Sequence, residues 1–165
     1  MSLTDRFRRW FDYEKDVHAK VINSLGTVPE DRRGEAAYQK AIDLLAHVAA
    51  ARALWLFRFG VAETGPQTTE ELFPRGRSLE DVEAELSSMH ERWSDYLGSL
   101  DDEKLAGVFE YRATEGERFR SRIEDLLTQL FGHSWYHRGQ IAAIVRSLGG
   151  EPAVTDFVFW SRESI

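Results

Sequence analysis

The sequence contains no cysteine, which excludes disulfides, thiolate metal sites of the zinc-ribbon type and a cysteine nucleophile together. No stretch approaches the roughly 20 apolar residues of a membrane span. The opening "MSLTDRFRRWFDYEKDV" is charged throughout and lacks the apolar run and small-residue cleavage site of a secretory signal. A cytoplasmic protein with no membrane partner is expected. Positive charge is also in short supply, since 21 Lys and Arg stand against 28 Asp and Glu for a net charge of -7. That balance opposes attraction to a phosphate backbone, so a nucleic-acid partner is not expected. The small basic clusters "RFRR" and "RFRSR" are interrupted by aromatic residues and read as solvated edges.

What is present is ordinary for a globular chain, with 42% hydrophobic and 30% charged residues. A length of 165 residues falls within the usual range of one domain, so 1–165 is read as a single unit. From about Leu3 to Leu25, Phe7, Trp10, Phe11, Val17, Val21 and Leu25 recur at three-to-four spacing before "GTVPED" breaks the pattern. A second, alanine-rich helix is expected from about Glu35 to Phe59, with Leu44, Leu45, Val48, Ala51, Leu54 and Trp55 on its buried side. Residues 61–77, with two prolines and two glycines, read as a loop holding one helical turn near Glu70 to Phe73. Ser78 then looks like the cap of a third helix with Val82, Leu86, Met89, Trp93 and Leu97 inside.

From Gly107, "GVFEYRATEGERFRS" alternates aromatic and polar residues around a turn and reads as a two-stranded hairpin. A fourth helix follows from near Ser121 to the Gly149-Gly150 pair, with Pro152 beyond. The fold class expected is all-α, an up-down four-helix bundle with a short β-hairpin before the last long helix. The apolar tail "TDFVFWSRESI" is expected to pack on the bundle or on a second subunit.

The chemistry lies in "GHSWYHRGQ". His133 and His137 fall in line with Ile123, Leu127, Leu130, Ile141, Ile144 and Leu148. Four residues along a helix turn the direction by only about 40°, so the two rings stand one turn apart on one side and can converge. His47, in line with Leu44, Ala51 and Leu54 on the second helix, offers a third imidazole. Three nitrogens from two helices can hold zinc, nickel or iron and leave a position for water or substrate. The alternative is three core histidines satisfied by neighbouring groups. Ser134 stands where an H-E-x-x-H metalloprotease carries its general-base glutamate, so peptide hydrolysis of that kind is not supported.

Around these three, Gln129, Gln140 and Asp43 are candidates to orient a ligand or bound water from behind. Trp55 and Trp135 are candidate walls of a substrate pocket. His18, bordering the inner face of the first helix, is a candidate acid-base group. Arg138 points about 100° from His137 and reads as a surface or interhelical ion-pair residue, with substrate contact as its alternative. His90 reads as exposed. Gly132 and Gly139 share a face, where close approach of another helix is expected.

His47 in the second long helix, followed by "HSWYHRGQIAAIVRSLGGEP" and the "TDFVFW" tail, resembles the DinB-like (YfiT-like) four-helix-bundle metalloenzyme family over essentially the whole chain. The resemblance is most specific at His133-x-x-x-His137-Arg138-Gly139-Gln140, the Leu148-Gly149-Gly150-x-Pro152 exit and Asp156. It implies that His47, His133 and His137 are a metal triad holding zinc or nickel, and that the protein is a homodimer. His18 stands where the family often places an asparagine. The activities assigned in the family imply a thiol-dependent S-transferase or isomerase acting on a small-molecule substrate, with a metal-activated thiolate and a low-molecular-weight thiol such as bacillithiol or mycothiol. The alternatives are a metal-dependent hydrolase using activated water, and a non-catalytic bundle that binds a metal or small ligand.

Overall fold

A computed structural model describes residues 1–164. Helix α1 (Leu3–Leu25) begins with a capping box, in which the Ser2 hydroxyl accepts from the Asp5 N–H and the Asp5 carboxylate accepts from the Ser2 N–H. A 3-10 turn (Glu30–Arg32) leads into α2 (Ala36–Arg58), whose buried alanines keep its neighbours close. A long crossover carrying the single turn α3 (Thr69–Leu72) reaches α4 (Leu79–Ser99), capped by Ser78. Next come α5 (Asp102–Ala106), the antiparallel hairpin β1 (Val108–Arg112) and β2 (Arg118–Arg122), then α6 (Ile123–Ser147) and α7 (Phe157–Ser161). Helix α5 was not expected, because five residues are too few to show a period. Asp101 caps it and Leu105 anchors it in the core.

The long helices form the expected four-helix bundle. Helices α2 and α1 each pack on both α4 and α6, so α1 and α2 stand diagonally. Three hydrogen bonds set the directions. The Glu151 N–H donates to Thr27 Oγ1 at 2.7 Å, joining the ends of α1 and α6. Arg8 Nε donates to the Leu97 carbonyl, placing the end of α4 beside the start of α1. Gln39 Nε2 donates to the Arg77 carbonyl, bringing the starts of α2 and α4 together. Helices α1 and α6 therefore run one way and α2 and α4 the other. The bundle is as expected but the alternating up-down order is not, because the long crossover returns the chain to the start of α2 and makes α2 and α4 parallel.

The core is built from the apolar stripes, with Trp93, Leu25, Leu45, Leu105, Leu127 and Val145 fully enclosed, each large side chain contributing roughly 1.5–3 kcal/mol. Gly149 and Gly150 close α6 for separate reasons. Gly149 takes φ 80°, which L side chains avoid. A Cβ on Gly150 would meet Val145 and Val28 at 2.9 Å. Gly132 and Gly139 do not serve a close helix contact, since a Cβ on either meets nothing within 4 Å. The tail packs on its own bundle, Phe157 and Trp160 lying edge-on to Tyr13 at 5.1 and 5.7 Å. Among the described residues, no helix is long and apolar enough to cross a membrane.

Candidate metal centre

Helices α2 and α6 face each other at mid-height and bring three imidazoles together. His47 Nε2 lies 3.0 Å from His133 Nε2, and His137 Nε2 lies 3.1 Å from the same atom. Nitrogens about 2.0–2.1 Å from one ion at tetrahedral angles stand about 3.3 Å apart, so these two spacings match a shared ion to within a few tenths of an ångström, and all three ligand nitrogens lie within 4.8 Å of one another. The outer nitrogens determine the tautomers. His47 Nδ1–H donates to the Leu72 carbonyl at 2.7 Å, and His137 Nδ1–H donates to Gln140 Oε1 at 2.8 Å. Both Nε2 atoms therefore present lone pairs to the common point, the arrangement metal-binding histidines need. Burial, with smaller contributions from His137 and His47, pushes the His133 ring down to about 4. Burial lowers His47 too, partly countered by the Leu72 carbonyl. Neutral rings are what ligation requires.

Gln140 is thus the outer partner of His137. Replacing it by alanine is expected to weaken metal affinity by about 10- to 100-fold, measured by competition with a chromophoric chelator. Gln140→Glu, which keeps the acceptor, retains most of the affinity.

The buried stripe of α6 differs in phase from the expected one. Its centre is Leu127, Leu130, Phe131, Ser134, Arg138, Ile141 and Val145, and His133 and His137 stand on its half-buried flank facing α2. This position gives the rings an open side, where a cavity of about 590 Å³ adjoins His47 and His137. Its far wall is the segment after α3, laid along α2 by bonds from three successive turns. His47 bonds the Leu72 carbonyl, Asp43 Oδ1 accepts the Gly76 N–H at 2.9 Å, and Gln39 donates to the Arg77 carbonyl at 3.0 Å. Phe73 consequently stacks on the His47 ring, centroids 4.2 Å apart and planes 9° from parallel.

Several expectations are corrected by this packing. Asp43 lines the cavity and pins its wall, with no bond to His47. Gln129 is exposed and faces away from the inner side of α6. Trp55 packs between Phe59 and Tyr111 of the hairpin, and Trp135, 45% exposed, lies against Trp10, so neither lines the cavity beside the histidines. Arg138 is buried, its guanidinium over the Tyr13 ring at 5.3 Å and Nη2 donating to Tyr13 Oη at 3.0 Å. His18 is 1% exposed and turned into the core away from the cavity.

The expectation that His90 is exposed also fails. His18 Nδ1 pairs with His90 Nε2 at 3.0 Å, His18 Nε2 pairs with Ser134 Oγ at 3.0 Å, and the two rings stack 8° from parallel. The position a metalloprotease fills with its base therefore points into this core. Burial, then Arg52 and Lys15, lower His90 to about 4, and burial with His90, Arg138 and Arg52 holds His18 well below its ordinary value. The unfolded chain takes up these protons near pH 6.5. The stability that depends on His90 is thus fully present above that pH and falls as pH drops toward 4, by about 1 kcal/mol per pH unit, and the lowered His18 acts in the same direction. Urea unfolding at pH 7, 6 and 5 measures the slope, which His90→Gln is expected to reduce by one ring's share.

Next to this pair lies a charged core that the hydrophobic pattern did not reveal. Glu14 and Arg52, 0% and 2% exposed, form a buried ion pair between the diagonal helices α1 and α2. The Arg52 guanidinium also lies over Phe131 at 5.0 Å and Trp93 at 5.4 Å. Burial lowers the pKa of Arg138, with Tyr13 and then Glu14 partly opposing it, and the ion pair of Glu14 is with Arg52.

The fold and the site define a four-helix-bundle protein whose three-histidine group can hold a metal ion. The chain belongs to the DinB family, whose model matches residues 1–164. No curated protein matches it.

Proposed function

We propose that the protein is a metal-dependent enzyme in which His47, His133 and His137 hold one divalent ion, zinc or nickel with iron also compatible. The nucleophile in this reading is a low-molecular-weight thiol, used for S-transfer or isomerisation of a small molecule. The observation that carries the proposal is the convergence of three Nε2 atoms, two with their tautomers set from behind, at the edge of an open cavity. An ion bound by three imidazoles has positions left for a ligand and, as a Lewis acid, lowers the pKa of the thiol or water it takes.

The residues around the cavity favour a thiol over water. A free thiol needs only a small shift from about 8.5, against about 15.7 for bulk water. Water attack would also need a base near the substrate. The one carboxylate lining the cavity is Asp43, whose Oδ1 is occupied by Gly76 and Gln39. The reading includes a cytoplasmic homodimer, for which exposed Val154, Val158 and Phe159 supply apolar area.

The test is conjugation of a panel of thiols to a chlorinated aromatic electrophile. Turnover with at least one thiol, lost on chelation and restored by zinc or nickel, is expected. Metal bound without turnover on any thiol would reduce the protein to a binding bundle, and thiol-independent ester or amide cleavage would favour the hydrolase.

A further inference from the structure

We infer that the cavity beside the three histidines takes an amphipathic anion, with its reacting atom at the histidines, an apolar body, and a carboxylate, sulfonate or phosphate at the far end. The inference rests on the reading of His47, His133 and His137 as a metal centre.

The cavity is graded along its length. On α2, Lys40, Leu44 and His47 are spaced i, i+4 and i+7 and share one face, so Lys40 and His47 are about 10 Å apart along the axis. The opposite wall supplies Phe73, Pro74 and Arg75, all lining the same cavity. It is held in register by the bonds to His47, Asp43 and Gln39 described above. Moving out from His47 along α2, a ligand meets Leu44 and then Lys40, with Phe73 stacked on His47 and Pro74 and Arg75 following it on the opposite wall, where Arg75 also borders an adjoining cavity with Glu70. Lys40 and Arg75 are both exposed, and neither forms an ion pair among the described residues. Asp43 is the single carboxylate on the cavity lining, so the protein's own side chains leave a net positive charge there. The chain as a whole carries -7. Two free cations at the mouth of an apolar cavity, in so acidic a protein, complement a negative group.

The test uses the cobalt-loaded protein and three thiols of equal length, 6-mercaptohexanoate, 6-mercaptohexanol and (6-mercaptohexyl)trimethylammonium. Affinity is read from the thiolate-to-cobalt absorption band. The carboxylate is expected to bind about tenfold tighter than the alcohol, a range two partly exposed ion pairs can supply, and the trimethylammonium compound weaker than either. In the double variant Lys40→Gln/Arg75→Gln the carboxylate's advantage falls to within about twofold, which separates the side chains' charge from that of the ion. Equal affinities in the wild type, or a preference that survives in the double variant, overturn the inference while an intact absorption band leaves the metal-centre reading standing. Failure to hold cobalt, or absence of the band with all three thiols, overturns both.

Discussion

His133→Ala is expected to weaken zinc or nickel affinity by more than about a hundredfold, because losing an outer partner of a ligand alone costs 10- to 100-fold. His133 is the hinge of the group, with Nε2 within 3.1 Å of both other Nε2 atoms. Removing it leaves His47 and His137 as two ligands on different helices. The folded state should survive, since His133 stands on a half-buried flank and its loss exposes no core residue. Competition with a chelator of known affinity measures the change, and circular dichroism confirms the helices. An unchanged affinity with native helicity would mean that the three rings are not a common ligand set.

The second large effect is on stability. Glu14→Gln is expected to destabilise the protein by about 3–5 kcal/mol, the usual cost of breaking a buried ion pair from one side. That is a large share of the roughly 5–15 kcal/mol of a typical domain. The loss arises because both partners are buried, so removing the carboxylate leaves the Arg52 guanidinium enclosed without its counter-charge. Replacing both partners, Glu14→Met with Arg52→Met, should recover part of it, since apolar isosteres no longer require charge compensation. Urea unfolding of the single and double variants gives the coupling. Additive losses would show that the pair does not act as a unit.

The helices and the triad were legible in the sequence for the same reason, which is that a period of 3.6 residues shows which side chains share a face. His133 and His137 could be paired from spacing alone, and His47 from its place between Leu44 and Leu54. The phase of the stripe was not legible. Ser134 and Arg138, both buried, are polar, and a hydrophobicity pattern reads polar residues as outward. Arg52, the partner of Glu14, escaped for the same reason. His90 looked exposed because its partner His18 comes from another helix, and only packing brings them together. The wall of the cavity was least legible. Residues 72–77 have no period, and their placement depends on bonds from His47, Asp43 and Gln39 to backbone groups. That wiring also explains why Asp43 proved to be a strut for the wall and not a partner of His47.

X-ray absorption at the zinc edge of the zinc-loaded protein reads the ligand set of the three histidines itself. One ion per chain is expected, with three imidazole nitrogens at about 2.0–2.1 Å and the remaining coordination from light, exchangeable ligands. An oxygen-only shell without imidazole scattering, or the same spectrum from a variant with His47, His133 and His137 all replaced by alanine, would contradict it.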